Sequence, residues 1–151
     1  MEVFYENEEI IVRKLGRDDF SKGYKDLLSN LTSTGNLNDD IYNEVFSYHE
    51  NHPKQYNIIV IEDKATAKLI GSGTLIINTD ILGRKYGLIE DIVVSKDFQG
   101  KGLGKKVVLT LVDIAKNKRC PKINLDCSNE NELFYTKCGF RQHGRGYGVY
   151  F

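Results

Sequence analysis

The sequence predicts an α+β domain: a central mixed sheet with helices on its faces. Three observations lead there. Tyr56 to Glu62, Leu69 to Ile77 and Gly87 to Val94 are strand-like runs, the first two joined by the polar turn Asp63-Lys64-Ala65-Thr66, as in an antiparallel meander. After Val94 the period changes: Val107, Val108, Leu111, Val112, Ile114 and Ala115 form a helical stripe. Alternation then returns over Lys122 to Cys127, with Ile123, Leu125 and Cys127 on one face.

The remaining elements follow in chain order. Glu9 to Leu15 reads as an opening strand. Asp18 or Asp19 can N-cap a helix with Phe20, Tyr24, Leu27, Leu28 and Leu31 on its apolar face, broken by Thr32-Ser33-Thr34-Gly35. A second helix starts near Asn38-Asp39, carries Ile41, Val45 and Phe46 on one side, and ends before Pro53. The loop from Asn78 to Tyr86 holds an exposed basic turn, Gly83-Arg84-Lys85. Asn129 to Lys137 is a further helix, with Asn129 as cap and Gly139 at the C′ position. The Gly- and aromatic-rich stretch Phe140 to Phe151 is expected to be a last strand.

Composition narrows the function. A length of 151 residues without repeat, low-complexity tract or linker is one domain, residues 1–151. Hydrophobic residues at 40% and charged residues at 28% describe a globular chain. With 21 Lys plus Arg against 21 Asp plus Glu, no basic field invites nucleic acid. The first residues are acidic where a signal peptide would be basic, and no apolar run approaches the ~20 residues of a membrane helix. A soluble, cytoplasmic protein with no membrane span is expected. Cys120, Cys127 and Cys138 are an odd number without close pairing, so neither a disulfide framework nor a metal site is implied, and the histidines His49, His52 and His143 do not join them.

One segment carries chemistry by itself. Gln99-Gly100-Lys101-Gly102-Leu103-Gly104 lies between the third meander strand and the long helix. Alternate glycines let backbone approach a ligand and adopt positive φ, and a helix N-terminus favours an anion. Lys101, Lys105 and Lys106 put positive charge where a first turn ordinarily prefers acidic residues, an inversion that a bound phosphate would balance. The segment is neither a Walker loop nor a dinucleotide-binding fingerprint. Alone, it is also compatible with a flexible turn into an ordinary helix.

The pattern Gln-x-x-Gly-x-Gly after a strand and before a helix resembles the acetyl-CoA loop of the GCN5-related N-acetyltransferases (GNAT). Ile89-Glu90-Asp91-Ile92-Val93-Val94 matches the strand whose backbone pairs with the pantetheine arm in that superfamily. Asn129 to Phe140, with Phe134-Tyr135 and Gly139-Phe140, resembles its Asn…Phe-Tyr…Gly-Phe segment. The resemblance implies the superfamily's fold, in which two strands of the sheet splay apart, and acetyl-CoA as co-substrate. It also implies a cofactor site of Ile92, Val93, Val94, Gln99, Gly100, Lys101, Gly102, Leu103, Gly104, Lys105, Asn131 and Tyr135.

From Leu31-Thr32 to Phe140, and least over Asn78 to Tyr86, the chain is similar to the eukaryotic glucosamine-6-phosphate N-acetyltransferases. Those are homodimers that acetylate the 2-amino group of D-glucosamine 6-phosphate on the route to UDP-N-acetylglucosamine, with sites shared between subunits. The resemblance implies Asp126, Tyr135 and Glu90 as catalytic residues. It implies a sugar site of Thr32, Lys85, Glu90, Asp91, Lys122 and Asp126, with Lys122 reached from the partner subunit. A carboxylate that accepts the amine's hydrogen bonds aims its lone pair, and can take its proton directly or through water. Glu90 and Asp91 can share one site only if their strand is bulged or splayed, because neighbouring strand residues face opposite ways. Tyr135 would donate to the departing sulfur; full proton transfer from a phenol to a thiolate is uphill by roughly 2 kcal/mol, so a hydrogen bond is the expected role. Backbone N–H groups near Val93-Val94 are the natural oxyanion donors.

The chain departs from the family at the sugar phosphate. An arginine common near the C-terminus of those enzymes is replaced around Tyr150, and Arg84, Lys85, Arg141 and Arg145 are the candidates to replace it. Acetylation of another small amine or a protein N-terminus, and a non-catalytic acetyl-CoA-binding regulatory module, are the competing readings.

Overall fold

A computed structural model describes residues 1–151. It contains β1 (Val3–Glu6), β2 (Ile10–Lys14), α1 (Tyr24–Leu28), α2 (Asp39–Glu50), β3 (Tyr56–Asp63), β4 (Lys68–Thr79), β5 (Lys85–Val94), α3 (Leu103–Asn117), β6 (Ile123–Asn124) and α4 (Glu132–Lys137). The six strands lie in chain order, antiparallel from β1 to β5, with β6 added parallel to β5 across the α3 crossover.

Each face of the sheet owns one core. Ile59 and Ile61 of β3 pack with Leu75, Ile89 and the α3 stripe Val107, Val108, Leu111, Ile114 and Ala115. Val60, between them in sequence, packs on the other face with Leu15, Tyr24, Leu27, Tyr42 and Val93. Burial on both faces is why this strand is continuously apolar rather than alternating. Leu111 is fully buried, and its truncation to Ala is expected to cost about 2–5 kcal/mol.

The meander, the long helix and its stripe lie where the sequence places them. Asn38 caps α2 as expected, its side chain accepting the Ile41 N–H at 3.0 Å. The buried face of α2 differs, however. Tyr42 is 5% exposed, donates its hydroxyl to the Gly16 carbonyl at 2.8 Å and stacks on Phe46, while Ile41 and Val45 face outward. A buried tyrosine with a hydrogen-bond partner outcompetes two aliphatic residues for the core.

Several expectations are corrected. The hairpin strand β1 precedes the expected first strand and pairs with β2. Gly23, at φ 86°, divides the expected first helix into a 3-10 helix over Arg17–Lys22 and the short α1. Gly16 rather than Asp18 or Asp19 is the N-cap. Asp19 is buried, accepting the Gly16 N–H at 2.6 Å and pairing with Arg13 at 2.7 Å. The expected strand over 122–127 is reduced to Ile123–Asn124, paired only with Gly87 and Leu88. A 3-10 turn over Asn129–Asn131 leads into α4, with Ser128 instead of Asn129 at the cap, while Gly139 adopts φ 97° as a C′ glycine does. Residues 141–151 form no strand and make no backbone–backbone hydrogen bond within the chain. No helix is long and apolar enough to cross a membrane.

Candidate active site

The site begins with a fault in β5. Thr74 pairs with Glu90 and Ser72 with Val93, so Asp91 and Ile92 together oppose Gly73. This is a β-bulge, and Asp91 sits at its centre with φ 54°. The extra residue inverts the strand's facing: Ile89 packs on the α3 side but Val93 on the α1–α2 side, although a four-residue spacing would put them on one face. Gly73 allows this, because a Cβ there would lie 2.6 Å from both Ile92 Cδ1 and Val107 Cγ1.

Past Gly87 and Leu88, β5 and β6 separate, so the β5 edge from Ile89 to Val94 has no strand beside it. A cavity of about 420 Å³ occupies the gap. Thr32 contributes from the loop after α1, Glu90, Asp91 and Ile92 from the bulge, Asp126 from the loop beyond β6, and Asn131 and Tyr135 from the α4 region. The bulge thus brings Glu90 and Asp91 to one cavity, meeting the condition that strand geometry imposes. Leu31, Ile89, Cys127 and Ser128 also line it and were missed. Their adjacency to Thr32, Glu90 and Asp126 was the available signal.

Glu90, Asp91 and Asp126 enter no salt bridge, although the chain makes six elsewhere. Three carboxylates without protein cations around one cavity suit an ammonium or amine. Tyr135 is half-buried, edge-on to Phe134 at 4.9 Å and to Phe140 at 6.1 Å. Burial pushes its hydroxyl above the usual phenol range, with smaller contributions from the Cys127 and Cys138 thiols. It therefore remains a neutral donor throughout the physiological range.

The glycine loop lies at one end of this gap. Gly100 and Gly102 take φ 79° and 77° with open space where a Cβ would be. α3 begins with no side-chain cap and no acidic residue in its first turn, leaving N–H donors for an anion. Gln99 Nε2 reaches the Val94 carbonyl at 3.4 Å, and Gly104 admits the Phe134 ring, which would be 3.3 Å from a Cβ. Through Gly104 and Phe134 the start of α3 meets the α4 segment whose Asn131 and Tyr135 line the cavity, and Gln99 holds the end of β5. A cradle for a diphosphate leading into a slot with free backbone groups fits the pantetheine and pyrophosphate of acetyl-CoA.

Lys85 and Lys122 are not brought to this cavity within one chain. Lys85 lies at the opposite end of β5 with its Nζ 3.5 Å from the Lys118 carbonyl, and Lys122 flanks the β5–β6 pairing. Arg84 is paired with Asp80 at 2.7 Å. Gly146 of the tail approaches Asp126, whose Oδ1 would be 3.6 Å from a Cβ there. No group of three or more His, Cys, Asp or Glu is arranged to hold a metal.

The acetyltransferase (GNAT) family profile matches residues 20–140. The chain belongs to this family. GNAT enzymes use acetyl-CoA as co-substrate, in keeping with the loop and slot described above. Glucosamine 6-phosphate N-acetyltransferase of Arabidopsis thaliana is 39% identical over 146 residues, 95% of this chain and 98% of that protein. The Candida albicans enzyme of the same name is 35% identical over 87% of this chain and 89% of its own. The Arabidopsis crystal structure superposes with a TM-score of 0.91, covering 95% and 99% of the two chains. A Trypanosoma brucei acetyltransferase, 30% identical, gives 0.86 over 94% and 99%. A GNAT acetyltransferase can thus be read from fold, loop and family together.

Proposed function

We propose that this acetyltransferase moves the acetyl group of acetyl-CoA to the 2-amino group of D-glucosamine 6-phosphate, releasing CoA and N-acetyl-D-glucosamine 6-phosphate. The observation that carries the reading is the unpaired trio lining one cavity: Glu90 and Asp91, brought there by the bulge, and Asp126 from beyond β6. The names of the relatives, similar over nearly their whole length, supply the sugar.

The residues divide the work. Ile92 to Val94 offer free backbone groups to the pantetheine arm and N–H donors to the oxygen that gains charge. Gln99, Gly100, Lys101, Gly102, Leu103, Gly104 and Lys105 hold the pyrophosphate, and Asn131 borders the thioester end. Glu90, Asp91 and Thr32 orient the sugar. Asp126 accepts a hydrogen bond from the amine and takes its proton as the amide forms. Tyr135 donates to the sulfur as it leaves. Its raised pKa makes full transfer less favourable still, so it stabilises the thiolate by hydrogen bonding.

The acting unit is a homodimer in this reading. Three features support it: a tail with no backbone partners, its exposed Tyr147, Val149 and Phe151 in alternation, and Lys122 and Lys85 left outside the cavity of their own chain. A tail strand exchanged between subunits satisfies the first two, and shared sites use the lysines. Among the cations weighed for the sugar phosphate, Arg145 is favoured, because it adjoins Gly146 at Asp126 while Arg84 is engaged with Asp80.

The test measures free CoA after mixing the protein and acetyl-CoA with glucosamine 6-phosphate, glucosamine, spermidine or an N-terminal peptide. Release is expected with glucosamine 6-phosphate above all others; release with spermidine or peptide alone would overturn the substrate assignment. Light scattering is expected to give about twice the chain mass of 17.2 kDa, and a monomer mass at assay concentration would reject the dimer.

A further inference from the structure

One side chain joins the acceptor wall to the cofactor segment without lining either. Asn30 follows α1 and immediately precedes Leu31 and Thr32, which line the cavity. Its Nδ2 donates to the carbonyls of Asp26 at 2.9 Å and Leu27 at 3.1 Å, closing the last turn of α1. Its Oδ1 accepts the backbone N–H of Lys96 at 3.1 Å, from 66 residues away in the chain. Lys96 opens the 3-10 turn Lys96–Phe98 that connects β5 to Gln99. A first-position N–H has no partner inside its own helix, and Ser95 makes no side-chain capping bond. Asn30 supplies that cap from another element.

The other hydrogen bonds of this wall are local: the N–H groups of Leu31 and Thr32 both return to the Leu28 carbonyl. No second hydrogen bond ties residues 29–37 to β5 or to the segment after it. We propose that Asn30 is a positioning residue for the acceptor, a clasp that fixes the Leu31–Thr32 wall against the strand leading into the cofactor loop. With the clasp open, the wall samples several positions and only a fraction of molecules presents a complete acceptor site. Apparent acceptor affinity then falls by that fraction, whereas a saturating acceptor restores the competent state and leaves turnover intact. The inference rests on the reading of the cavity as the amine site.

The test removes each half of the bond separately. Asn30→Ala is expected to raise the KM for glucosamine 6-phosphate about tenfold, with kcat and the Kd of acetyl-CoA both within about twofold. Lys96→Pro deletes the N–H from the other side. Ser95, at ψ 138°, already has the extended ψ that a following proline requires, and the first helical position accepts proline. Lys96→Pro should raise the same KM to the same degree, Lys96→Ala, which keeps the N–H, should not, and the double variant Asn30→Ala/Lys96→Pro should be no worse than either single. An unchanged acceptor KM in Asn30→Ala, additive KM effects, or an equal loss of acetyl-CoA affinity would overturn the clasp. A lowered Tm with unchanged KM would overturn it too, assigning Asn30 to stability alone. Failure of the unaltered chain to turn over glucosamine 6-phosphate would sink the acceptor reading together with the clasp, whereas turnover with an unmoved KM removes the clasp only.

Discussion

Two groups of carboxylates in this molecule have opposite surroundings. Asp19 and Glu62 converge on Arg13, which is 2% exposed; Asp19 forks both its oxygens to the guanidinium at 2.7 and 2.8 Å, and Glu62 also takes Lys22 at 3.0 Å. The Asp19 hydrogen bond is the main reason the guanidinium is held still more firmly protonated, outweighing burial. Burial works against the charge of Glu62, but hydrogen bonds from Arg13 and Lys22 prevail and keep it below the ordinary range. Glu90, Asp91 and Asp126 have no such cation and remain open to solvent in the cavity. The same side-chain chemistry therefore locks β2, β3 and the 3-10 turn in one place and offers unspent charge in the other. The second group is left for a ligand to partner.

Replacing one carboxylate in each group by its amide should separate the two roles. Asp126→Asn is expected to lower kcat/KM by about 10²–10⁴-fold while urea unfolding is unchanged. Asp19→Asn leaves Arg13 without its fork in the interior and should destabilise by about 3–5 kcal/mol, with normal activity per folded molecule. Activity lost in Asp19→Asn, or stability lost in Asp126→Asn, would erase the distinction. Tyr135→Phe comes next: a hydrogen bond to a charged partner is worth about 1.5–3 kcal/mol, so kcat should drop roughly 10- to 100-fold with acetyl-CoA affinity retained in a direct binding titration.

Acid separates the groups in another way. Because the folded pKa of Glu62 lies below its unfolded value, its stabilisation is complete above the unfolded carboxylate range near about 4.3 and disappears as pH falls through the folded value. Glu62→Gln should flatten the decline of stability below that range, read from urea midpoints across an acid series. The smallest effect belongs to Asp91. Its positive φ is a conformation glycine adopts freely, so Asp91→Gly should be neutral to stability or raise it by up to about 1 kcal/mol, while acceptor KM rises.

What could be read from the sequence was periodicity and punctuation. The α3 stripe, the Asn38 cap, the Gly139 terminus and the three meander strands each depend on neighbours a few residues away, and each stands where expected. Thr32, Glu90, Asp91, Asp126, Asn131 and Tyr135, singled out by matched motifs, line one cavity. The rest depended on partners far along the chain. Asp19 looked like a helix cap because nothing local shows that Arg13 and Gly16 claim it. Tyr42 displaced Ile41 and Val45 from the core because of a carbonyl 26 residues earlier. The bulge was legible only as a requirement that Glu90 and Asp91 share a face; its location follows from Gly73, on a different strand. The short β6 and the unpaired tail were overread, because alternating residues advertise a strand whether or not an edge is available in the same chain.

The agreement between chain order and strand order bears on how the protein folds. From β1 to β5 every strand pairs with its predecessor, so those contacts close as the chain emerges, without waiting for distant segments. Only the two-residue registry of β6 on β5 requires the α3 crossover to be in place first. The catalytic gap, which needs β6 beside β5, is therefore expected to assemble after the meander and to open before it. Hydrogen exchange should find β6 and α4 opening at lower free energy than the β3–β4 centre, so the enzyme can lose its active site to gentle warming or mild denaturant while most of its sheet persists.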